Sequence, residues 1–316
     1  MRLHSDRAAF EQIIDEVSRS SGVRRDVLEK DYYVTLLLFE LAGRERQGYA
    51  YFKGGTALYK ALRSIRRFSE DIDLTVSAEG CSTQSRVKKR LENAALGYKC
   101  LCKEKTLENR KGSITCLYRY DSLYALDEND ALQRFGRVKV EATSFTVSEP
   151  VCEIAIAPHL YELCDEGRRR ILRDGYDVAP FGVQTISLER IFTDKVFAAE
   201  FYYERGAYAD VAKHVYDIAV LMRSDTIMRF LKDEAAVERM IALKRREECD
   251  RKGGVNASLA VKDFGYFGGL KENEEFAHEF EKMQRVYVLT KDDIIAITAA
   301  VAATEELHGY FVGSAL

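Results

Sequence analysis

Apolar residues recur at helical spacing in residues 8–20, where Phe10, Ile13, Ile14 and Val17 share one stripe and Ser21-Gly22 breaks it. Residues 25–41 predict a second helix. Its later half is nearly all apolar and so belongs in a core. A short hydrophobic stretch at 49–53 ends in Gly54-Gly55, and a third helix is expected to start at Thr56. Residues 71–76 (DIDLTV) alternate strictly, as a half-buried strand does. After a helical segment at 85–96 come Tyr-, Val- and Thr-rich strand patterns at 113–120, 136–145 and 151–157. Beyond about Ser187 the pattern turns helical, over 188–222, 225–247, 272–285 and 291–307, with glycine-rich loops at 252–254 and 264–270. The chain therefore reads as α+β, with an α+β domain over 1–186 followed by a helical C-terminal domain over 187–316.

Composition narrows the class. With 3 Pro in 316 residues, long disordered linkers are not expected. The formal net charge of -3 is not that of a constitutive nucleic-acid binder, which is usually basic. The 7 cysteines form an odd count without CxxC spacing, so reduced thiols fit better than a zinc site or a disulfide framework. No apolar run approaches the roughly 20 residues a membrane helix needs, and the N-terminus lacks a signal-peptide core. The expected location is the cytoplasm, with no membrane partner.

The chemistry concentrates in residues 52–76, FKGGTALYKALRSIRRFSEDIDLTV. Gly54 and Gly55 let the backbone turn and approach a ligand closely. Thr56, at a helix start, offers a hydroxyl and free amides to a phosphate. Asp71 and Asp73 stand two apart on a strand, so both carboxylates point to one face. Such neighbours repel unless a cation lies between them, and Mg²⁺ suits a few carboxylates plus water and substrate phosphates. Glu141 shares its strand face with Lys139 and Thr143 and is the candidate third carboxylate. Singly, a Gly-Gly pair is a turn, an Asp-x-Asp pair is a solvated strand edge, and an acid on a strand faces water. In this order they build one site.

Arg63, Arg66 and Arg67, just before the acidic strand, suit either a polyanion or a solvated loop. The basic clusters Arg168-Arg169-Arg170 and Lys244-Arg245-Arg246 are candidates for RNA-backbone contact or, equally simply, solvated faces. Lys213 and Asp217, spaced i,i+4, can form a helix-surface ion pair.

The Gly-Gly-Thr, Asp-x-Asp and later Glu pattern resembles the polymerase-β-like nucleotidyltransferase superfamily. The fuller string resembles the AbiEii family of bacterial nucleotidyltransferase-like toxins of type IV toxin–antitoxin systems. The similar stretches are LEKDYYVTLLL at 28–38, FKGGTALYKAL at 52–62, RFSEDIDL at 67–74, VKVEATSF at 138–145, SLERIFTDKVFAAE at 187–200 and AKHVYDIAVL at 212–221. The resemblance implies a mixed sheet flanked by helices, followed by a helical lobe. It implies Asp71, Asp73 and Glu141 as Mg²⁺ ligands, with Lys195 as a further catalytic residue. It adds Lys53, Gly54, Gly55, Thr56, Ser69 and Asp217 as nucleotide-binding residues. One departure stands out: where the family commonly carries Asp, three residues before Asp217, this chain has His214.

The implied reaction is Mg²⁺-dependent transfer of a nucleotide from a nucleoside triphosphate to an acceptor, by resemblance the 3′ end of tRNA, with a cognate antitoxin as partner. Two other readings share these residues. One is a nucleotidyltransferase that modifies a protein or small molecule; the other is a nucleotide-binding module without catalysis.

Overall fold

The computed structural model describes residues 1–43, 48–63, 67–124, 135–146, 149–250, 254–255 and 258–312. Arg66 and the loop residues Lys252 and Gly253 lie outside them. The chain divides into two compact units. The first comprises Met1–Ala61 and Phe68–Ile186, the second Leu62–Arg67 and Ser187–Leu316.

The first unit is built on a mixed sheet. Among the described residues seven strands form it: β1 (Ala50–Lys53), β2 (Ile72–Val76), β3 (Cys102–Arg110), β4 (Ser113–Arg119), β5 (Arg137–Thr143), β6 (Val151–Ile156) and β7 (Phe181–Ile186). They lie in the order β3-β4-β5-β2-β1-β7-β6. The pairs β2/β5 and β1/β7 are parallel and the other neighbours antiparallel. The α+β expectation therefore holds. Strand β2 departs from the half-buried pattern, because only Asp73 within it is partly exposed while Ile72, Leu74, Thr75 and Val76 are buried. Its central place covers the face that alternation alone assigned to solvent.

Among the described residues six helices flank these strands: α1 (Arg7–Ser21), α2 (Arg25–Ala42), α3 (Gly54–Thr56), α4 (Gln84–Leu96), α5 (His159–Glu162) and α6 (Glu166–Tyr176). Helix α1 forms where the stripe predicts it. Asp6 caps its N-terminus by accepting from Ala9 N at 3.1 Å, and Gly22 closes it at φ 74°. Phe10, Ile13, Ile14 and Val17 are its buried residues. Helix α2 packs on β5, β7, α1 and α5, and is buried through its first half as well as its second.

That burial takes three charged residues out of water, and each finds a partner. Glu29 accepts from Ser122 Oγ and Leu123 N, both at 2.6 Å. Lys30 donates to the Arg137 carbonyl. Asp31 accepts from Lys60 Nζ at 2.6 Å and from His159 N at 2.7 Å. Lys60 lies on a π turn over Ala57–Ala61 that follows α3 directly. The helix expected from Thr56 is thus a helical turn opening at Gly54 that widens and ends at Ala61. The Asp31–Lys60 pair, 1% exposed at each side chain, fixes this turn to α2.

The second unit is helical: α7 (Leu188–Tyr203), α8 (Tyr208–Leu221), α9 (Asp225–Lys232), α10 (Glu234–Asp250), α11 (Tyr266–Gly269), α12 (Glu274–Tyr287) and α13 (Ile297–Val312). The single helical run expected over 188–222 is two antiparallel-patterned helices joined by a turn in which Gly206 adopts φ 64°. Ser187 caps α7 by accepting from Arg190 N at 3.3 Å. Helix α8 packs on α7, α12 and α13. Among the described residues, no helix is long and apolar enough to cross a membrane.

Replacing one partner of the Asp31–Lys60 pair leaves an uncompensated buried charge. Lys60→Met is expected to cost about 3–5 kcal/mol, read as a lowered urea midpoint; a loss below ~1 kcal/mol would show that the pair does not anchor the turn.

Candidate active site

Four strands place one row of side chains across the sheet. In β1/β2 Lys53 lies opposite Asp73, in β2/β5 Asp73 lies opposite Glu141, and in β4/β5 Thr115 lies opposite Glu141. Residues directly opposite share a face. Lys53, Asp73 and Glu141 therefore crowd together at the sheet's centre. The alternate residues Ile72, Leu74, Val140 and Ala142, each 0% exposed, fill the core from the other face. Asp71 and Lys139 immediately precede the paired residues Ile72 and Val140. They meet in an ion pair, Lys139 Nζ to Asp71 Oδ2 at 2.9 Å.

The electrostatics follow from this register. Burial raises the Asp73 carboxyl, and the Glu141 and Asp71 carboxylates raise it further. Lys53 and Lys139 offset only part, so it titrates at about 7. Burial works to lower Lys139, but Asp71, then Asp73 and Glu141, hold its ammonium above the ordinary lysine value. Lys53 Nζ also donates to Thr143 Oγ1 at 3.1 Å.

The glycine turn abuts this acidic row. Gly54 has φ 78°, and a Cβ there would lie 2.2 Å from Asp73 Oδ2. Both the backbone conformation and the closeness of Asp73 thus require glycine. Gly55 and Thr56 are buried in the turn that follows. The Thr56 hydroxyl donates to Ser69 Oγ at 3.0 Å, which ties the turn to the segment leading into β2.

A divalent cation can be tested against this donor set. The donors are carboxylate oxygens, the chemistry Mg²⁺ prefers, and the like charge that adds to burial in lifting Asp73 is what such a cation relieves. Among the described residues, however, the side chains are not gathered into a group of three or more His, Cys, Asp or Glu close enough to hold a metal. Asp71 is turned to Lys139 instead. The residues fit Mg²⁺ in chemistry and strand register, with Asp71 needing to exchange its lysine.

Lys195 and Asp217 belong to the second unit, where they meet each other and Arg67. Asp217 is 0% exposed. It accepts from Arg67 Nε and Nη2, each at 2.7 Å, and lies 2.9 Å from Lys195 Nζ. Burial raises its carboxyl, but Arg67 and Lys195 outweigh that and hold it at about 2. This overturns two expectations. Lys213 pairs with Asp210 at 3.2 Å rather than with Asp217, because Asp217 faces the interior. Arg67 is neither a solvated loop residue nor a polyanion contact but a buried bidentate partner. Burial, then Lys195, pushes His214 well below its ordinary value, so the imidazole is neutral, and its ring stacks on Tyr202 at 5.4 Å.

The basic clusters fare differently. Lys244 is buried, 2.8 Å from Glu248, 3.2 Å from Asp194 and 3.4 Å from Glu247, which removes it from any RNA-facing surface. Arg168 pairs with Glu16 and Asp165, and Arg169 with Glu166, while Arg170 is exposed. Sequence reading singled out neither Lys139 nor the Arg67–Asp217 pair. Lys139 carried a signal, being two residues from Glu141 on one strand face. Arg67 and Asp217, 150 residues apart, carried none.

No curated protein matches the sequence. Among solved structures, the chain is similar to MenT4, a nucleotidyltransferase toxin from Mycobacterium tuberculosis H37Rv. The two share 17% identity at a TM-score of 0.57, over 95% of this chain and 90% of that one, which is a likeness of fold. The family described as "Nucleotidyl transferase AbiEii toxin, Type IV TA system" matches residues 36–303, most of the chain. With its glycine turn set against in-register carboxylates, the chain belongs to the AbiEii family of nucleotidyltransferase toxins of type IV toxin–antitoxin systems.

Proposed function

We propose that the first unit transfers a nucleotide from a nucleoside triphosphate to the 3′ end of a tRNA, with Asp71, Asp73 and Glu141 as the residues that would hold Mg²⁺. The terminal hydroxyl loses its proton as it bonds the α-phosphorus, and the α–β anhydride breaks to release pyrophosphate. The observation that supports this most is the pairing of Asp73 with Glu141 in parallel register, beside a glycine that no other residue can replace. Bound there, Mg²⁺ supplies the charge that neutralises the triphosphate and makes the acceptor hydroxyl a better nucleophile. Gly54 and Gly55 bring backbone close to the phosphates, with Thr56 and Ser69 bracing the turn through their shared hydrogen bond. Lys53, opposite Asp73, adds positive charge on the nucleotide side. A cognate antitoxin is the expected partner, as the family's toxin–antitoxin membership implies, and the cytoplasm, where tRNA and triphosphates are, the expected location.

The resemblance also brings Lys195 and Asp217 into the reaction. In the second unit Arg67 and Lys195 face one carboxylate, Asp217, while neutral His214 stands where a second acid is common in the family. Lys195, held beside the buried Asp217 carboxylate, is the cation that the resemblance assigns to an anionic substrate.

Incubating the chain with tRNA, Mg²⁺ and each α-³²P-labelled triphosphate should label tRNA. Asp73→Ala should lower labelling by about a hundredfold or more, the upper scale on which partners of a metal site act. Label on protein instead would move the acceptor to a protein, and triphosphate binding without transfer would leave a binding module.

Lys195→Ala should lower both stability and labelling, since it leaves Asp217 one cation short. Lys195→Arg separates the two roles: restored thermal stability with lost labelling supports a role in the reaction. Recovery of both would reduce Lys195 to a structural partner of Asp217.

The Asp73 shift carries a sign that melting of metal-free protein can check. Its folded carboxyl is raised from 3.8 to about 7. The folded chain therefore binds a proton that the unfolded chain has released between those values, and stability falls as pH rises through them. Asp73→Asn should melt higher than the parent by several degrees at pH 8, with the gap closing toward pH 4. A gap independent of pH would contradict the crowding.

A further inference from the structure

The Lys139–Asp71 ion pair stands inside the acidic row, yet the reaction described above makes no use of it. Its lysine side chain is 35% exposed and its aspartate 33%, at a separation of 2.9 Å. Strand geometry puts Lys139 on the face of Glu141, two residues further along β5, and the parallel register sets it beside Asp71. Asp71, Asp73 and Glu141 are thus partly compensated by a cation belonging to the chain itself.

The two lysine–aspartate pairs of this unit differ in one decisive respect. Lys60–Asp31 is sealed, each side chain 1% exposed, and breaking it strands a charge in the interior. Lys139–Asp71 opens to water, so its ammonium can turn to solvent without stranding either charge in the interior. A divalent cation has twice the charge of an ammonium and can bind several carboxylates at once, whereas Lys139 reaches Asp71 with a single charge.

We propose that Lys139 is a built-in counter-ion that holds Asp71 until a divalent cation displaces it, and that this exchange sets the affinity of the acidic row for metal. The proposal rests on reading Asp71, Asp73 and Glu141 as metal carboxylates. It accounts for why those side chains are not drawn together here: Asp71 is engaged by an internal cation, and the row closes only when that cation is exchanged.

Mn²⁺ is the probe, titrated into the full chain with free Mn²⁺ followed by electron paramagnetic resonance. Lys139→Met should bind Mn²⁺ about tenfold more tightly than the parent, the low end of what one adjacent opposite charge does to a carboxylate's affinity for a cation. Lys139→Arg should bind as the parent does. Unchanged or weaker binding by Lys139→Met, with binding still abolished by Asp73→Ala, overturns the exchange and leaves the metal reading standing. Binding that survives Asp73→Ala in every background sinks the metal reading, and the exchange with it.

A second measurement needs no variant. Brief acetylation of the parent chain, read by mass spectrometry, should modify Lys139 several-fold faster with saturating Mn²⁺ than without, because displacement frees the amine. An equal rate in both conditions overturns the proposal.

Discussion

Like charge forced together at the centre of a sheet is the constraint around which this molecule is arranged. Asp73 and Glu141 are held opposite one another by the β2/β5 ladder, whose alternate residues are anchored in the core. Neither backbone position can shift without moving a strand, and moving a strand would expose Ile72, Leu74, Val140 and Ala142. The repulsion is therefore retained rather than relaxed, and, added to the larger effect of burial, it lifts the Asp73 carboxyl to about 7. Core packing holds the acids in place, and the acids in turn hold a standing preference for positive charge.

Around that row the chain distributes its cations in two manners. Where a charge only has to fix backbone, it is sealed with its partner, as Lys60 is with Asp31. Where a charge faces the acidic row, it remains partly in water, as Lys139 does. Burial, more than residue type, separates the structural pairs from the adjustable one. The π turn Ala57–Ala61 depends on the first kind, so the glycine turn that precedes it inherits its rigidity from an ion pair with α2.

Much of this was legible from one sequence, because local pattern and local chemistry agreed. The stripe on α1, the alternation of β5, and the shared face of Lys139, Glu141 and Thr143 all followed from spacing. What stayed hidden had no apolar signature. Strand β3 is almost wholly exposed and held by its ladder to β4, with lysines along the sheet's edge, so periodicity gave nothing to read. The helix break near Gly206 hid between two stretches of the same helical pattern, and a lone glycine does not reveal which conformation it takes. Buried charges were hidden for a different reason. Lys244, Arg67 and Asp217 look like surface residues in sequence, and partners gathered by the fold make their burial tolerable, Asp194 joining two acids of the same helix around Lys244.

The short segment Leu62–Arg67 carries a consequence for how the protein comes into being. It belongs to the second unit, although Ala61 before it and Phe68 after it belong to the first. During synthesis Arg67 leaves the ribosome 150 residues ahead of Asp217, the carboxylate that will neutralise it. Translation at roughly 5–20 residues per second sets a wait of many seconds. Through that interval the guanidinium must stay hydrated while strand β2, five residues further on, is already available to pair. Maturation of the second unit is thus tied to the last half of translation, and a chain truncated between the two would present Arg67 without Asp217.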